Sequence, residues 1–230
     1  MHAVTIRKMW NPVRVLAMSA MSVALALSIG GCNNQTGFSG SVGSTPNAPK
    51  LTSYNIFGDV GTPFTATVSD SRSSWTLQGN VPLYIVIINN LQPNRIVATK
   101  TTSNSNLLSL EIILANRVAD LQSTSAPFGT VSTQAGGTLD PIPPPADPDL
   151  RIFASGPLNK NYTALVEDIN TGFVIDGRAP TLILFDQPDG KVDATFYGSN
   201  DFGTFTLNMT LAGQVVAKVT KGPNATIREP

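Results

Sequence analysis

The chain has 230 residues, 15 basic against 15 acidic side chains, one histidine and one cysteine. A lone cysteine excludes an intramolecular disulfide framework, and a lone histidine leaves little room for imidazole chemistry. Only 13% of residues are charged and 41% are hydrophobic, so stability must rest on buried apolar surface.

The first element is a segment apart. Arg7, Lys8 and Arg14 supply positive charge, and no acidic residue precedes Asp59. Val15 to Ile29 then forms a largely apolar run of about fifteen residues, the length of a signal-peptide core and short of the roughly 20 that span a bilayer. Gly30, Gly31 and Cys32 follow. Ile29-Gly30-Gly31-Cys32 resembles the lipobox of bacterial lipoproteins, although leucine is commoner where Ile29 stands. The resemblance covers residues 1 to about 33. It implies that residues 1–31 are a cleaved signal peptide and that Cys32 is the lipidation site. In that family the thiol takes a diacylglycerol thioether and the new amine is acylated, which makes membrane lipid a partner. Two or more chains hold a protein stably at roughly 0.8 kcal/mol per buried CH₂. In Gram-negative lipoproteins aspartate after the cysteine favours inner-membrane retention, so Asn33 implies the outer membrane.

Cleavage removes His2 and lipid consumes Cys32, leaving no imidazole and no free thiol. Without Arg7, Lys8 and Arg14, twelve bases face fifteen acids, a net charge of −3. That offers no footprint for nucleic acid. Ser-His-Asp and Cys-His catalysis lack their base, and zinc, copper or iron sites lack their ligands. No cofactor is expected. Residues 32–49, rich in Gly, Ser, Asn and Thr, read as a flexible tether with a reach of about 20–25 Å.

The body repeats itself at an offset of 96–98 residues. "YNIFGDVGTPFTATVSD" (54–70) matches "LRIFASGPLNKNYTALVED" (150–168), with Ile56-Phe57 on Ile152-Phe153 and Phe64-Thr65-Ala66 on Tyr162-Thr163-Ala164. "VPLYIVIIN" (81–89) matches "APTLILFDQ" (179–187), and "LSLEIILANRVA" (108–119) matches "FTLNMTLAGQVV" (205–216). Between the copies, "QAGGTLDPIPPPADPD" (134–149) reads as a stiff proline-rich connector. Domains at 50–133 and 150–230 are expected.

Within each copy the apolar period is two. Leu108, Leu110, Ile112 and Leu114 alternate with other residues, as do Phe205, Leu207, Met209 and Leu211, the signature of half-buried strands. Leu83 to Ile88 and Leu182 to Phe185 are apolar without alternation and read as strands covered on both faces, or on one by a neighbouring domain. Turn residues recur every 8–12 positions, and Ala212-Gly213-Gln214 suits a short hairpin. The expected fold is all-β: two tandem antiparallel, immunoglobulin-like β-sandwiches from an internal duplication.

Carboxylates are the remaining source of chemistry. Asp70 and Glu167-Asp168 close equivalent strands, and Asp186, Asp189, Asp193 and Asp201 crowd the second copy. Two could run glycoside hydrolysis, and Asp186, Asp189 and Asp201 could hold calcium. Most sit beside turns, where aspartate is favoured for bonding its own backbone. Trp75, matched by Phe173, reads as a core plug. The expected function is therefore not enzymatic, with no catalytic and no metal-binding residue assigned. It is binding, adhesion or scaffolding in the cell envelope, towards an envelope polymer, glycan or protein. The alternatives are an accessory subunit of an envelope assembly and, further off, a carboxylate-dependent glycan hydrolase.

Overall fold

Sixteen strands account for the regular structure of the described residues. The computed structural model describes residues 50–230 except 115–116, 148, 169–171, 187, 189 and 200. Cys32, the signal segment and the tether lie outside them. The first half holds β1 (Lys50–Gly58), β2 (Pro63–Ser69), β3 (Ser74–Asn80), β4 (Leu83–Asn90), β5 (Asn94–Lys100), β6 (Leu108–Leu114), β7 (Arg117–Thr124) and β8 (Thr130–Ala135). The second holds β9 (Leu150–Ser155), β10 (Asn161–Glu167), β11 (Gly172–Arg178), β12 (Thr181–Phe185), β13 (Asp193–Gly198), β14 (Phe205–Leu211), β15 (Gln214–Lys221) and β16 (Asn224–Arg228).

Strand formation follows the alternation. In β10, Tyr162, Ala164 and Val166 are buried between less buried neighbours, and β13 and β14 behave alike. The hairpin expected at residue 212 joins β14 to β15 through Ala212 and Gly213, both at positive φ. That is the twist a two-residue hairpin favours.

β4 and β12 are buried on both faces, and the topology explains why. An eight-stranded sheet runs β15-β14-β9-β12-β4-β1-β6-β7, with two four-stranded sheets, β3-β2-β5-β8 and β11-β10-β13-β16. Every pairing in the first half recurs in the second: β1 with β4 and β6, β2 with β3 and β5, and their counterparts eight strands later. The halves join where β4 pairs in parallel with β12. Leu83, Ile85 and Ile87 enter a core with Phe64, Trp75 and Ile96 from the first half, whereas Tyr84, Val86 and Ile88 enter one with Tyr162, Phe173 and Phe196 from the second. The four-stranded sheets therefore cover opposite faces of the long sheet. Segments 50–133 and 150–230 each build one sandwich, and the two share a sheet.

Three details depart from the sequence expectations. The order 7-6-1-4 facing 3-2-5-8 is not that of an immunoglobulin domain, where the second strand pairs with the first and fifth; here β2 pairs with β3 and β5. The match of Ile56 to Ile152 is two residues out of step, because Tyr54 pairs with Ile85 and Ile112 while Ile152 pairs with Ile183 and Met209. Two-residue periodicity keeps the same face buried after a slip of two, so hydrophobic pattern alone does not detect it. The connector, finally, is docked. Ser74 N–H donates to Pro144 O (2.9 Å), Ala146 N–H to Ser74 O (3.0 Å), and the Ala146 side chain is buried in the first core.

β5 and β13 end differently. Lys100, the last residue of β5, is almost fully buried, and its Nζ donates to the carbonyls of Asn104 (2.9 Å), Asn106 (2.7 Å) and Ser125 (3.1 Å). Its counterpart is Gly198, where a Cβ would lie 2.5 Å from Cγ of Phe202. Phe202 is fully buried and stacks on Phe205 at 3.9 Å between ring centroids. One half fills this position with an ammonium caged by carbonyls, the other with an aromatic ring.

Candidate functional site

Three polar features stand out, beginning with a buried acidic cluster at the seam. The β2–β3 turn carries Asp70, whose Oδ1 accepts from Arg72 N–H (2.8 Å) and Ser73 N–H (2.9 Å) and whose Oδ2 accepts from Leu91 N–H (3.2 Å). Asp186, just beyond β12, is fixed by its N–H to Ile88 O (3.1 Å). Its carboxylate accepts from Ser73 Oγ (2.8 Å) and pairs with Arg72. A turn of the first half thus grips the second through Asp186. Burial pushes the Asp70 carboxyl above its usual range, and the nearby Asp186 adds to the shift against the three N–H bonds. Tyr54 beside it is also raised, by burial and then by Asp70, and its hydroxyl donates to Asn94 Oδ1 (3.1 Å).

A second feature lies on the face of β1 and β6 turned away from the first core. Asn55 pairs across the sheet with both Tyr84 and Glu111, and its Nδ2 donates to Glu111 Oε2 at 2.5 Å. Burial raises the Glu111 carboxyl, which the Asn55 bond opposes. Tyr84 donates to Asn159 Oδ1 (2.9 Å) and also meets Arg178 at the end of β11. Strand parity alone places Asn55 and Glu111 on an outward face, so nothing in the sequence marked them as buried.

The third feature is a loop end. β4 and β12 are parallel, and β1 and β9 run against them. The loops after β1 and β9 therefore open at one end, as do those joining β5 to β6 and β7 to β8. Asp59 N–H donates to Leu107 O (3.1 Å), Leu107 N–H to Asp59 Oδ2 (2.8 Å), and Phe128 N–H to Thr102 O (2.9 Å). Lys100 ties the β5–β6 and β7–β8 loops together from beneath. Val60, Leu107 and Phe128 are exposed on them, by 66%, 40% and 58%. Lys100 was legible: Ile96, Ala98 and Lys100 share the inward face of β5.

Among the described residues, the carboxylates singled out in the sequence do not all gather at one site. Asp70 and Asp186 share the seam, both buried and both bonded to the first half's turn. Asp193 pairs with Arg228 at 3.3 Å. Asp201 pairs with Lys160 and accepts from Ser199, and these neighbours hold its carboxyl at about 2. Asp168 is half-buried, and Asp189 lies outside the described residues. Among the described residues no group of three His, Cys, Asp or Glu side chains could hold a metal ion. Trp75 is buried in the first core.

The seam gives a pH prediction. A carboxyl raised by folding binds its proton more tightly in the native state, so stability rises as pH falls from neutrality towards the ordinary carboxyl range near 4. It is lost again as pH rises through the raised value. Asp70 and Glu111 both act in this sense, whereas lowered Asp201 acts oppositely below about pH 4. Thermal melts are expected to peak in mild acid, and Glu111→Gln is expected to flatten the slope between pH 7 and 5. A melting temperature highest at pH 8 would contradict this.

No family model, curated protein or solved structure matches the chain. Its chemistry rests on its own residues. Each buried charge named above is held by structural partners, and three of the exposed apolar side chains, Val60, Leu107 and Phe128, stand on tied loops.

Proposed function

We propose that the chain is a lipid-anchored protein of the cell envelope, held in the outer membrane through acylated Cys32, with a non-enzymatic binding, adhesion or scaffolding role. Its body would be a duplicated pair of sandwiches fused into one rigid unit. The observation that carries the non-enzymatic part is how the buried ionisable groups are used. Asp70 is bonded to three backbone N–H groups, Asp186 to Ser73 and Arg72, and Lys100 to three carbonyls. All three serve the fold, and candidate catalytic groups are ordinarily poised in a cleft. The anchor rests on Ile29-Gly30-Gly31-Cys32 and the apolar run before it.

The reading as an accessory subunit draws on the ends of the long sheet. β7 and β15 are terminal strands exposing Val118, Leu121 and Val215, and edge strands accept partners by strand addition.

Labelled palmitate fed to cells making the full chain is expected to tag it, and Cys32→Ala is expected to abolish the tag and move the protein out of the membrane fraction. Equal labelling of the Cys32→Ala variant, or a wild-type chain without label, would overturn the anchor.

A further inference from the structure

We infer that the outer edge of β11 is a docking site for residues 46–48 of the same chain, which add to it in parallel at Gly172. The second half thereby gains what the connector gives the first. This rests on the duplicated fold and goes beyond the binding role proposed above.

The edge of β3 shows how such a site works. β3 ends its sheet, and the connector lies along it in parallel, with Pro145 opposite Ser74. Ser74 N–H donates to Pro144 O (2.9 Å), and Ser74 O accepts from Ala146 N–H (3.0 Å). Pro145 faces solvent, whereas Ala146 turns into the core that holds Trp75, Leu182 and Leu184. β11 ends the other four-stranded sheet in the same way. Ser74 pairs with Ser69 where Gly172 pairs with Glu167, and Trp75 with Val68 where Phe173 pairs with Val166. The two hairpins share one length and one register. Gly172 therefore aims its N–H and C=O away from β10, as Ser74 aims its own away from β2.

The occupant follows from the same register. Thr52 in β1 pairs with Ile87 and Leu114, and Leu150 in β9 pairs with their counterparts Phe185 and Leu211. Four places before Leu150 stands Ala146, and six before it Pro144. The same counts back from Thr52 reach Ala48 and Pro46. The chain entering β1 thus repeats the Pro-x-Ala that binds β3, at the same distance from its strand. Matching Ile56 to Ile152 hides this, because that alignment sets Pro144 against Ala48.

Each residue type suits its task. Pro46 keeps the carbonyl that accepts from Gly172 N–H, and Ala48 supplies the N–H for Gly172 O. Its methyl group is small enough to enter the margin of the core holding Phe173, Tyr84 and Val86. Asn47 stands where Pro145 does, a position whose own N–H is not needed. Ser74 Oγ also donates to Pro143 O (3.0 Å), a bond that Gly172 does not offer, so the two backbone bonds and the alanine carry the contact. Docking closes the β11 edge to strands from outside and shortens the free tether to residues 32–45.

The test uses the full chain carrying Cys32→Ala, which has no other thiol. Asn47→Cys and Gly172→Cys are introduced together. Paired Cα atoms of neighbouring strands stand about 5 Å apart, within disulfide range. A Cβ at Gly172 meets its nearest atom, Cγ of Glu167, at an ordinary 3.7 Å. Mild oxidation is expected to form an intramolecular disulfide, located by peptide mass, at least tenfold faster than in Ser44→Cys/Gly172→Cys. In separate variants, Ala48→Asp is expected to lower Tm by about 3–6 °C by forcing a charge towards the core, and Asn47→Asp to leave it within about 1 °C. A freely moving tether would respond to neither pair. Equal oxidation rates at 44 and 47, or an unchanged melt in Ala48→Asp, would overturn the inference. So would a disulfide joining two chains, which would give the edge to a second copy. Acylation takes no part in these measurements, so this inference and the palmitate result fail separately.

Discussion

A chain cut to residues 50–133 is expected to be insoluble or to pair with itself instead of folding as a stable monomer. The cut uncovers Tyr84, Val86 and Ile88, which lie in the second half's core, together with the hydrogen-bonding edge of β4. Fully burying such a side chain is worth about 1.5–3 kcal/mol, so three amount to roughly 5–9 kcal/mol. An 80-residue domain has about 4–12 kcal/mol in all. The fragment also loses Ala146 from its core and Asp186 from its seam. Residues 150–230 lose the cover over Leu182 and Leu184 in the same way. Light scattering on a sizing column, with circular dichroism, decides it. A monomeric 50–133 fragment that melts cooperatively at the full chain's temperature would refute the shared-core account.

Lys100→Gly is expected to destabilise the chain by about 3–5 kcal/mol, because three part-buried carbonyls lose their donor and a cavity opens around a side chain that was almost fully buried. The second half suggests the rescue, since Gly198 is compensated there by Phe202. Counting from the end of β5, Asn104 is the counterpart of Phe202. Lys100→Gly/Asn104→Phe should recover a measurable part of the loss, whereas Asn104→Phe alone should overpack and cost about 1–3 kcal/mol. Urea melts of the four proteins close a double-mutant cycle. A coupling energy of zero would show that the two solutions are not interchangeable.

Much of the fold was legible because burial follows parity. The strands at 108–114 and 205–211 announce themselves by alternation, and the solid apolar runs at 83–88 and 182–185 stand where two cores meet. The hidden part is what parity does not carry. Which strand lies beside which is decided by ladders between segments distant in sequence, so the departure from immunoglobulin order and the β4–β12 join left no local trace. Proline content predicted a stiff connector, but prolines keep their carbonyls as acceptors, and Pro144 uses one to bind β3. Lys100 could have been found by extending the inward face of β5 to its last residue. Asn55 and Glu111 could not, because their burial depends on what lies across an outward face. At the loop end, Pro127-Phe128-Gly129 signals a turn without revealing that the phenylalanine takes the left-handed place.

The parallel join between β4 and β12 limits how such a molecule can grow. Equivalent strands sit side by side while their like-numbered side chains point into opposite cores, so the two cannot stand level. β12 is staggered by one position, with Leu182 rather than Ile183 beside Ile85. Each sandwich owns one such edge, and the join consumes both. The valence of this contact is two and it is saturated within one chain. A third sandwich could not be added by the same rule, and intact molecules could not string into fibres through it. Any higher-order association must begin at a different rim.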